Sequence, residues 1–105
     1  MARHRQAIRI AYPPAVGGTR EVTACVFGIW AVHRDCGDAR WWDVTHVPTG
    51  MLMLRTRPSS QAIRIAKQFA EKFPQYGVRY KFGRVRWRYT ESDRAVKEFL
   101  REIAP

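Results

Sequence analysis

The segment RWWDVTHVPTGMLMLRT, residues 40–56, carries the strongest fold signal in this 105-residue chain. Two runs rich in β-branched, aromatic and other apolar residues, 41–47 and 51–56, adjoin the tetrapeptide VPTG at 47–50. Proline suits the second position of a tight turn and glycine its fourth, as in a type I turn with a bulge. The segment therefore predicts a β-hairpin over residues 40–56.

Two further strands are predicted before this hairpin. Residues 6–12 place Ile8, Ile10 and Tyr12 on one alternating face, which is the pattern of a half-buried strand. Residues 21–33 are apolar on both alternating faces, so they predict one long central strand, bent at Gly28. A turn at 35–38 connects that strand to the hairpin.

The C-terminal half predicts two helices with a strand between them. Apolar residues recur at helical spacing from Pro58 until Pro74 ends the helix. Residues 79–89 alternate and predict a fifth strand. Thr90 and Asp93 have the spacing of a capping box. The helix that follows is expected to point four apolar residues inward: Val96, Phe99, Leu100 and Ile103.

This order of elements, ββββαβα, predicts a single small α+β domain over residues 1–105. Because strands run together before the helices, we expect a mostly antiparallel sheet of about five strands with both helices packed on one face. An apolar content of 46% and an aromatic content of 12% suffice for a core and are too high for a disordered chain.

One hexapeptide occurs twice. QAIRIA fills residues 6–11, where we predict a strand, and residues 61–66, where we predict a helix. The flanking sequences differ, so the chain is not a repeat architecture. Tertiary context can override the intrinsic propensity of so short a segment.

The formal net charge is +10, and fifteen of the nineteen basic residues are arginine. Such a surface attracts polyanions, and arginine grips phosphate or carboxylate through two parallel hydrogen bonds. The alternative explanation of this excess of arginine over lysine is a GC-rich genome, which also favours arginine. Residues 55–88 contain ten of the cations and a single acid, Glu71.

Within that segment, Arg84, Arg86 and Arg88 are predicted to share one face of the fifth strand. Their spacing of roughly 7 Å is close to that of successive phosphates, so the row could follow a nucleic-acid backbone. A solvated strand face is the alternative. The remaining candidate phosphate-binding residues extend the patch: Arg79, Lys81, Arg55, Arg57 and Arg64.

Trp41 and Trp42 are candidates for stacking an unpaired base or anchoring an interface. The alternative is that adjacent tryptophans pack one on each side of the sheet, one of them under the helices. His33 and His46 fall on strands expected to be neighbours, with Asp43 nearby, which is a pattern compatible with acid–base or metal chemistry.

That histidine pair lacks a third ligand and a nucleophile, so surface or turn-supporting roles are favoured. His46 in particular could bond the turn at 48–50. We therefore expect no catalytic residues, no metal and no cofactor. The sequence also lacks phosphate-binding glycine motifs and zinc-binding helical motifs.

Two cysteines, Cys25 and Cys36, lack metal-ligand spacing. Cys25 reads as a core residue and Cys36 as a turn residue, and a disulfide between them is left open. No leader is recognised, and the apolar stretch 24–32 is too short to span a bilayer, so the expectation is a cytoplasmic protein without membrane contact.

The sequence thus predicts a non-enzymatic module that binds DNA or RNA with low sequence specificity. The alternative is a small accessory protein, of the kind common in phages and mobile elements, that docks on an acidic protein surface as an inhibitor or adaptor, for example of a host defence complex. The oligomeric state is left open.

Overall fold

A computed structural model describes residues 5–12, 16–35, 37–74, 76, 79–80, 84–85 and 91–103, with the backbone alone for 79–80, 84–85 and 91–93. The fold is α+β, as predicted: a five-stranded antiparallel sheet and two helices in one compact unit. The elements are β1 Gln6–Ala11, β2 Thr19–Phe27, β3 Trp30–Arg34, β4 Trp42–His46, β5 Met51–Thr56, α1 Ser59–Lys72, β6 Arg79–Tyr80, β7 Arg84–Val85 and α2 Glu91–Ile103.

The sheet is a meander in which each strand pairs with its neighbour in the chain. The strand order is β1-β2-β3-β4-β5 and every pairing is antiparallel. Short connections suffice for such a sheet, because antiparallel neighbours need no crossover.

The hairpin predicted from residues 40–56 is confirmed. β4 and β5 pair from Trp42 opposite Thr56 to His46 opposite Met51, with an irregularity beside Val44. The Gly50 amide donates to the His46 carbonyl at 2.8 Å, and Gly50 has a φ of +70°, which glycine adopts readily.

The long central strand predicted over residues 21–33 is wrong, because the chain reverses at Gly28. Phe27 pairs with Trp30 across a two-residue turn, and Gly28 has a φ of +63°. A positive φ at the first central residue is typical of tight hairpin turns. The run is apolar on both faces because both faces of β3 are buried, not because one strand continues through it.

The single strand predicted over residues 79–89 is also wrong. Residues 79–80 and 84–85 pair with each other as antiparallel strands β6 and β7, outside the five-stranded sheet. The fifth strand of the main sheet comes instead from the division of residues 21–33 into two. The alternation of apolar and polar residues has a period of two in one long strand and in two short strands alike, so this pattern could not distinguish them.

α1 packs on one face of the sheet, through the stripe that its spacing predicted. The buried residues of the helix are Ala62, Ile63, Ile65, Ala66 and Phe69. The Phe69 ring stacks on Trp30 of β3 with 4.5 Å between centroids and meets Phe99 of α2 edge-on at 5.1 Å. Val96 and Phe99 are buried in the same core, as expected of α2. Thr90, the predicted cap, lies outside the described residues.

The repeated hexapeptide adopts both conformations, as predicted. At 6–11 it is the whole of β1, and at 61–66 it lies within α1. As a strand it buries Ile10 and leaves Arg9 exposed, whereas as a helix it buries two alanines and two isoleucines. Burial of a different residue subset in each context selects the conformation.

The two edges of the sheet approach one another at the β4–β5 turn. A β-carbon at Gly50 would overlap the carbonyl oxygen of Ala11, the last residue of β1, and would crowd the side chain of Ile10. Because β1 and β5 lie at opposite ends of the strand order, this contact requires a strongly coiled sheet.

The substitutions Gly50→Ala and Gly28→Ala separate backbone strain from this close approach. Both residues have a left-handed φ, but nothing lies within 4 Å of a β-carbon at Gly28. We expect Gly28→Ala to cost about 1–2 kcal/mol of unfolding free energy for the left-handed backbone, and Gly50→Ala about 1–3 kcal/mol more, because β1 must move. Urea titration of both variants measures the difference, and equal losses would contradict the contact.

Candidate nucleic-acid interface

Both candidate tryptophans are half-buried, and each carries a guanidinium over its ring. The Arg57 guanidinium carbon lies 4.9 Å from the centroid of the Trp41 ring. The corresponding carbons of Arg34 and Arg5 lie 4.6 Å and 5.4 Å from the Trp42 ring. The interaction of a cation with the face of an indole holds both partners in place.

Strand register explains this arrangement. Trp42 opens β4 directly opposite Arg34 of β3 and Thr56 of β5, and Arg57 follows β5 immediately. Trp42 also packs against the hydrophobic core, as the core-packing alternative predicted for one of the two tryptophans. We call the following set the Trp41–Trp42 surface: Arg5, Arg34, Arg40, Arg57, Trp41 and Trp42.

The loop between β3 and β4 positions Trp41. Asp35 accepts hydrogen bonds from the amides of Gly37 and Asp38 at 3.0 and 2.9 Å through one carboxylate oxygen. The Asp35 amide donates to the Trp41 carbonyl at 2.9 Å, and the Trp41 amide donates to the Asp38 carbonyl at 3.1 Å. Because both the amide and the carbonyl of Trp41 are hydrogen-bonded within the loop, the backbone position of Trp41 is fixed.

The cations near this surface fall into two groups. Arg40 forms a two-pronged pair with Asp38, closest at 2.8 Å, and Arg55 pairs with Asp35 at 2.9 Å and with Asp43 at 3.6 Å. Among the described residues, no carboxylate forms a direct ion pair with Arg5 or Arg57, although Arg57 lies close enough to Asp38 to help lower the pKa of that carboxyl. Arg55, a predicted phosphate ligand, is therefore occupied by the Asp35 carboxylate, whereas Arg57 keeps its guanidinium donors free of any direct ion pair with a described carboxylate.

The structure describes only some of the other predicted phosphate ligands. Arg64 is exposed on α1. Arg79 and Arg84 lie in β6 and β7, where only the backbone is described. Lys81, Arg86 and Arg88 lie outside the described residues, so the arginine row remains a prediction. Sequence reasoning missed Arg5 and Arg34, although the position of Arg34 opposite Trp42 follows from the register between β3 and β4.

Asp43 and Asp35 form a carboxyl pair at the end of the sheet beneath Arg55. Asp43 is 3% exposed, and burial, followed by the hydrogen bond and the charge of Asp35, raises its pKa to about 7. The same hydrogen bond, together with the two loop amides, lowers the pKa of Asp35. The proton therefore resides on Asp43, which donates to the Asp35 carboxylate.

His33 is buried on the face of the sheet opposite α1, in a neutral form. Its Nδ1 lies 2.8 Å from the Arg34 carbonyl, and its Nε2 lies 2.9 Å from the Thr45 hydroxyl. A carbonyl only accepts, so Nδ1 carries the proton and Nε2 accepts from Thr45. Burial lowers the His33 pKa, which keeps the ring uncharged near neutrality.

His46 supports the β4–β5 turn, as its sequence position suggested. Its Nδ1 accepts from the Thr49 hydroxyl at 2.8 Å, because its Nε2 donates to the Tyr76 carbonyl. His46 shares the core face with its cross-strand partner Trp30, whereas His33 lies three residues farther along β3 and points to the other face. The two histidines therefore do not converge on a common site.

Among the residues that the structure describes, His, Cys, Asp and Glu side chains nowhere gather in a group of three that could hold a metal. Cys25 is buried with a free thiol, in agreement with a core role, and Cys36 lies outside the described residues. Neither described helix combines the length and apolarity needed to cross a bilayer.

Comparison with protein-family models, curated proteins and solved structures found no match to this chain.

The Asp43→Asn substitution tests the protonated carboxyl. The folded pKa of Asp43, about 7, exceeds the ordinary value of 3.8, so the folded state binds the extra proton and this group lowers stability as pH rises between these values. An asparagine keeps a donor toward Asp35 and does not titrate. We expect the stability of Asp43→Asn relative to the wild type to be higher near pH 8 than near pH 5, as measured by urea unfolding.

Asp38→Asn is the matched control, because the hydrogen bonds from Arg40 lower the pKa of Asp38. Asp38 is ionised at both pH values, so its replacement should change stability equally at each. A loss of stability in Asp43→Asn that is the same at both pH values would contradict a proton on Asp43.

Proposed function

We propose that this chain is a non-enzymatic nucleic-acid-binding module with low sequence specificity. The observation that carries the proposal is the Trp41–Trp42 surface, where three guanidiniums lie over two indole rings. Two of these guanidiniums, on Arg5 and Arg57, form no direct ion pair with a carboxylate among the described residues.

The chemistry of this surface suits a single strand. Arginine contributes charge and parallel N–H donors toward phosphate, and an indole contributes a face for stacking any base. Neither contact reads the identity of a base, so the expected binding is nearly independent of sequence. The net charge of +10 favours the encounter with a polyanion.

The predicted arginine row at residues 84, 86 and 88 belongs to the same proposal as a second set of phosphate contacts. It is proposed from the sequence pattern, and the Trp41–Trp42 surface supports the function independently of it. Arg64, exposed on α1, and Arg79 and Lys81 are further proposed contributors.

An acidic protein face is the second candidate, because arginine and tryptophan are also the residues that dominate protein interfaces. A partner protein would require specific shape complementarity, whereas nucleic acid would bind as any single strand. A stoichiometric complex with one protein, formed by a chain that ignores oligonucleotides, would favour this second candidate.

Arg57→Gln tests the proposal through its salt dependence. If Arg57 neutralises one phosphate, its loss should weaken binding to single-stranded DNA and reduce the slope of log affinity against log salt by about 0.7. Trp41→Ala should instead weaken binding by roughly 1–3 kcal/mol, through lost stacking, with little change in slope. Fluorescence anisotropy across a salt series, with circular dichroism as the check on folding, measures both effects.

Arg101→Gln is the matched control for charge. Arg101 is exposed on α2, two residues beyond Phe99, which contacts Phe73 just past the C-terminal end of α1. Arg57 precedes the other end of that helix, about 20 Å away. Equal effects of Arg57→Gln and Arg101→Gln would show that net charge alone drives binding and would reject the Trp41–Trp42 surface as the site.

A further inference from the structure

A small groove lies at one end of the Trp41–Trp42 surface, beside Trp42. It has a volume of about 260 Å³ and is lined by Arg5, Val22, Thr23, His33, Arg34 and Trp42. Pockets that enclose a drug-sized ligand measure about 300–1,000 Å³, so this groove suits a single chemical group.

Two cations, Arg5 and Arg34, line this groove. The guanidinium carbons of Arg5 and Arg34 lie 5.4 and 4.6 Å from the same ring centroid. They are therefore no farther apart than about 10 Å, the screening length at 0.1 M salt, so the two charges repel one another. Trp42 is the positioning residue, because both guanidiniums lie against its ring.

No anion of the described chain neutralises this pair. Arg34 uses one N–H in a hydrogen bond of 2.6 Å to the Ala39 carbonyl, which leaves the remaining donors of its guanidinium. The nearby carboxylate of Asp35 is engaged by Arg55 and two loop amides. His33 contributes a neutral wall, because burial lowers the pKa of its ring.

We infer that this groove is a subsite for a phosphomonoester, the terminal phosphate of a bound nucleic-acid strand. The inference rests on the proposed function and names the part of the strand that the groove takes. Charge stoichiometry carries it: a phosphomonoester has a charge of about −1.5 to −2 near neutral pH. It therefore balances two guanidiniums, whereas an internal phosphodiester, with a single charge, balances one.

The remaining wall of the groove fits the same ligand. The Thr23 hydroxyl is a donor available to a phosphate oxygen, and Val22 offers an apolar surface to the adjoining sugar. Three oxygens of a terminal phosphate can accept from both guanidiniums and the hydroxyl together, which an internal phosphate with two free oxygens cannot match.

The test compares three versions of one short oligothymidylate on the full chain: with a 5′-phosphate, with a 3′-phosphate, and with hydroxyls at both ends. At least one phosphorylated form should bind about tenfold more tightly than the unmodified form, which is the size expected of charge-assisted hydrogen bonds. The preferred end identifies the strand polarity at the groove. Inorganic phosphate in excess should remove the advantage.

Variants locate the effect. In Arg5→Gln the ratio between phosphorylated and unmodified affinities should fall to about one, and Arg34→Lys should lower it partially. Arg5 is exposed on the chain before β1, so its replacement leaves the core intact. Arg57→Gln is the matched control, because it should weaken all three oligonucleotides by the same factor and keep the ratio.

The outcomes separate the two proposals. Equal binding of all three oligonucleotides would overturn the phosphomonoester subsite and leave the nucleic-acid proposal standing. Absence of binding by every oligonucleotide would reject the proposed function and the subsite together. An advantage that survives in Arg5→Gln would place the terminal phosphate elsewhere and would also overturn the inference.

Discussion

The packing of one buried indole, Trp30, holds the two layers of this domain together. Its ring is fully buried in β3, stacks on Phe69 of α1 at 4.5 Å, and lies 6.1 Å from the ring of Tyr76. Its N–H donates to the Phe73 carbonyl at 3.2 Å, which satisfies the polar end of the indole at the point where α1 ends. Because Phe69 also meets Phe99, the same cluster brings α2 against α1.

The opposite face of the sheet is held by polar contacts instead. His33 and Thr45 bond one another within it, and Asp43 donates a hydrogen bond to Asp35 where β3 ends. Buried polar groups of this kind are costly unless they are satisfied, so they specify the geometry around them. That geometry extends to the loop over residues 35–41, which presents Trp41 to solvent. The candidate interface thus depends on the interior of the sheet.

Net charge alone is a poor guide to which cations form ion pairs within the molecule and which do not. Arg55 and Arg40 are matched with carboxylates, whereas Arg5 and Arg57 lie over indole rings without a described carboxylate partner. The first kind neutralises charge within the molecule, and the second kind leaves it for an external anion. Ion pairing across strands, which composition cannot reveal, makes this distinction.

The sequence by itself determined the α+β class, the 40–56 hairpin and the helix that follows it, because each depends on local periodicity and turn chemistry. It did not determine that residues 21–33 divide at Gly28, since two buried strands and one long strand share the same alternation. The sequence also gave no indication that Arg5 and Arg34 contact the Trp42 ring. Only the tertiary structure decided these contacts, because strand register and sheet coiling bring together residues far apart in the chain.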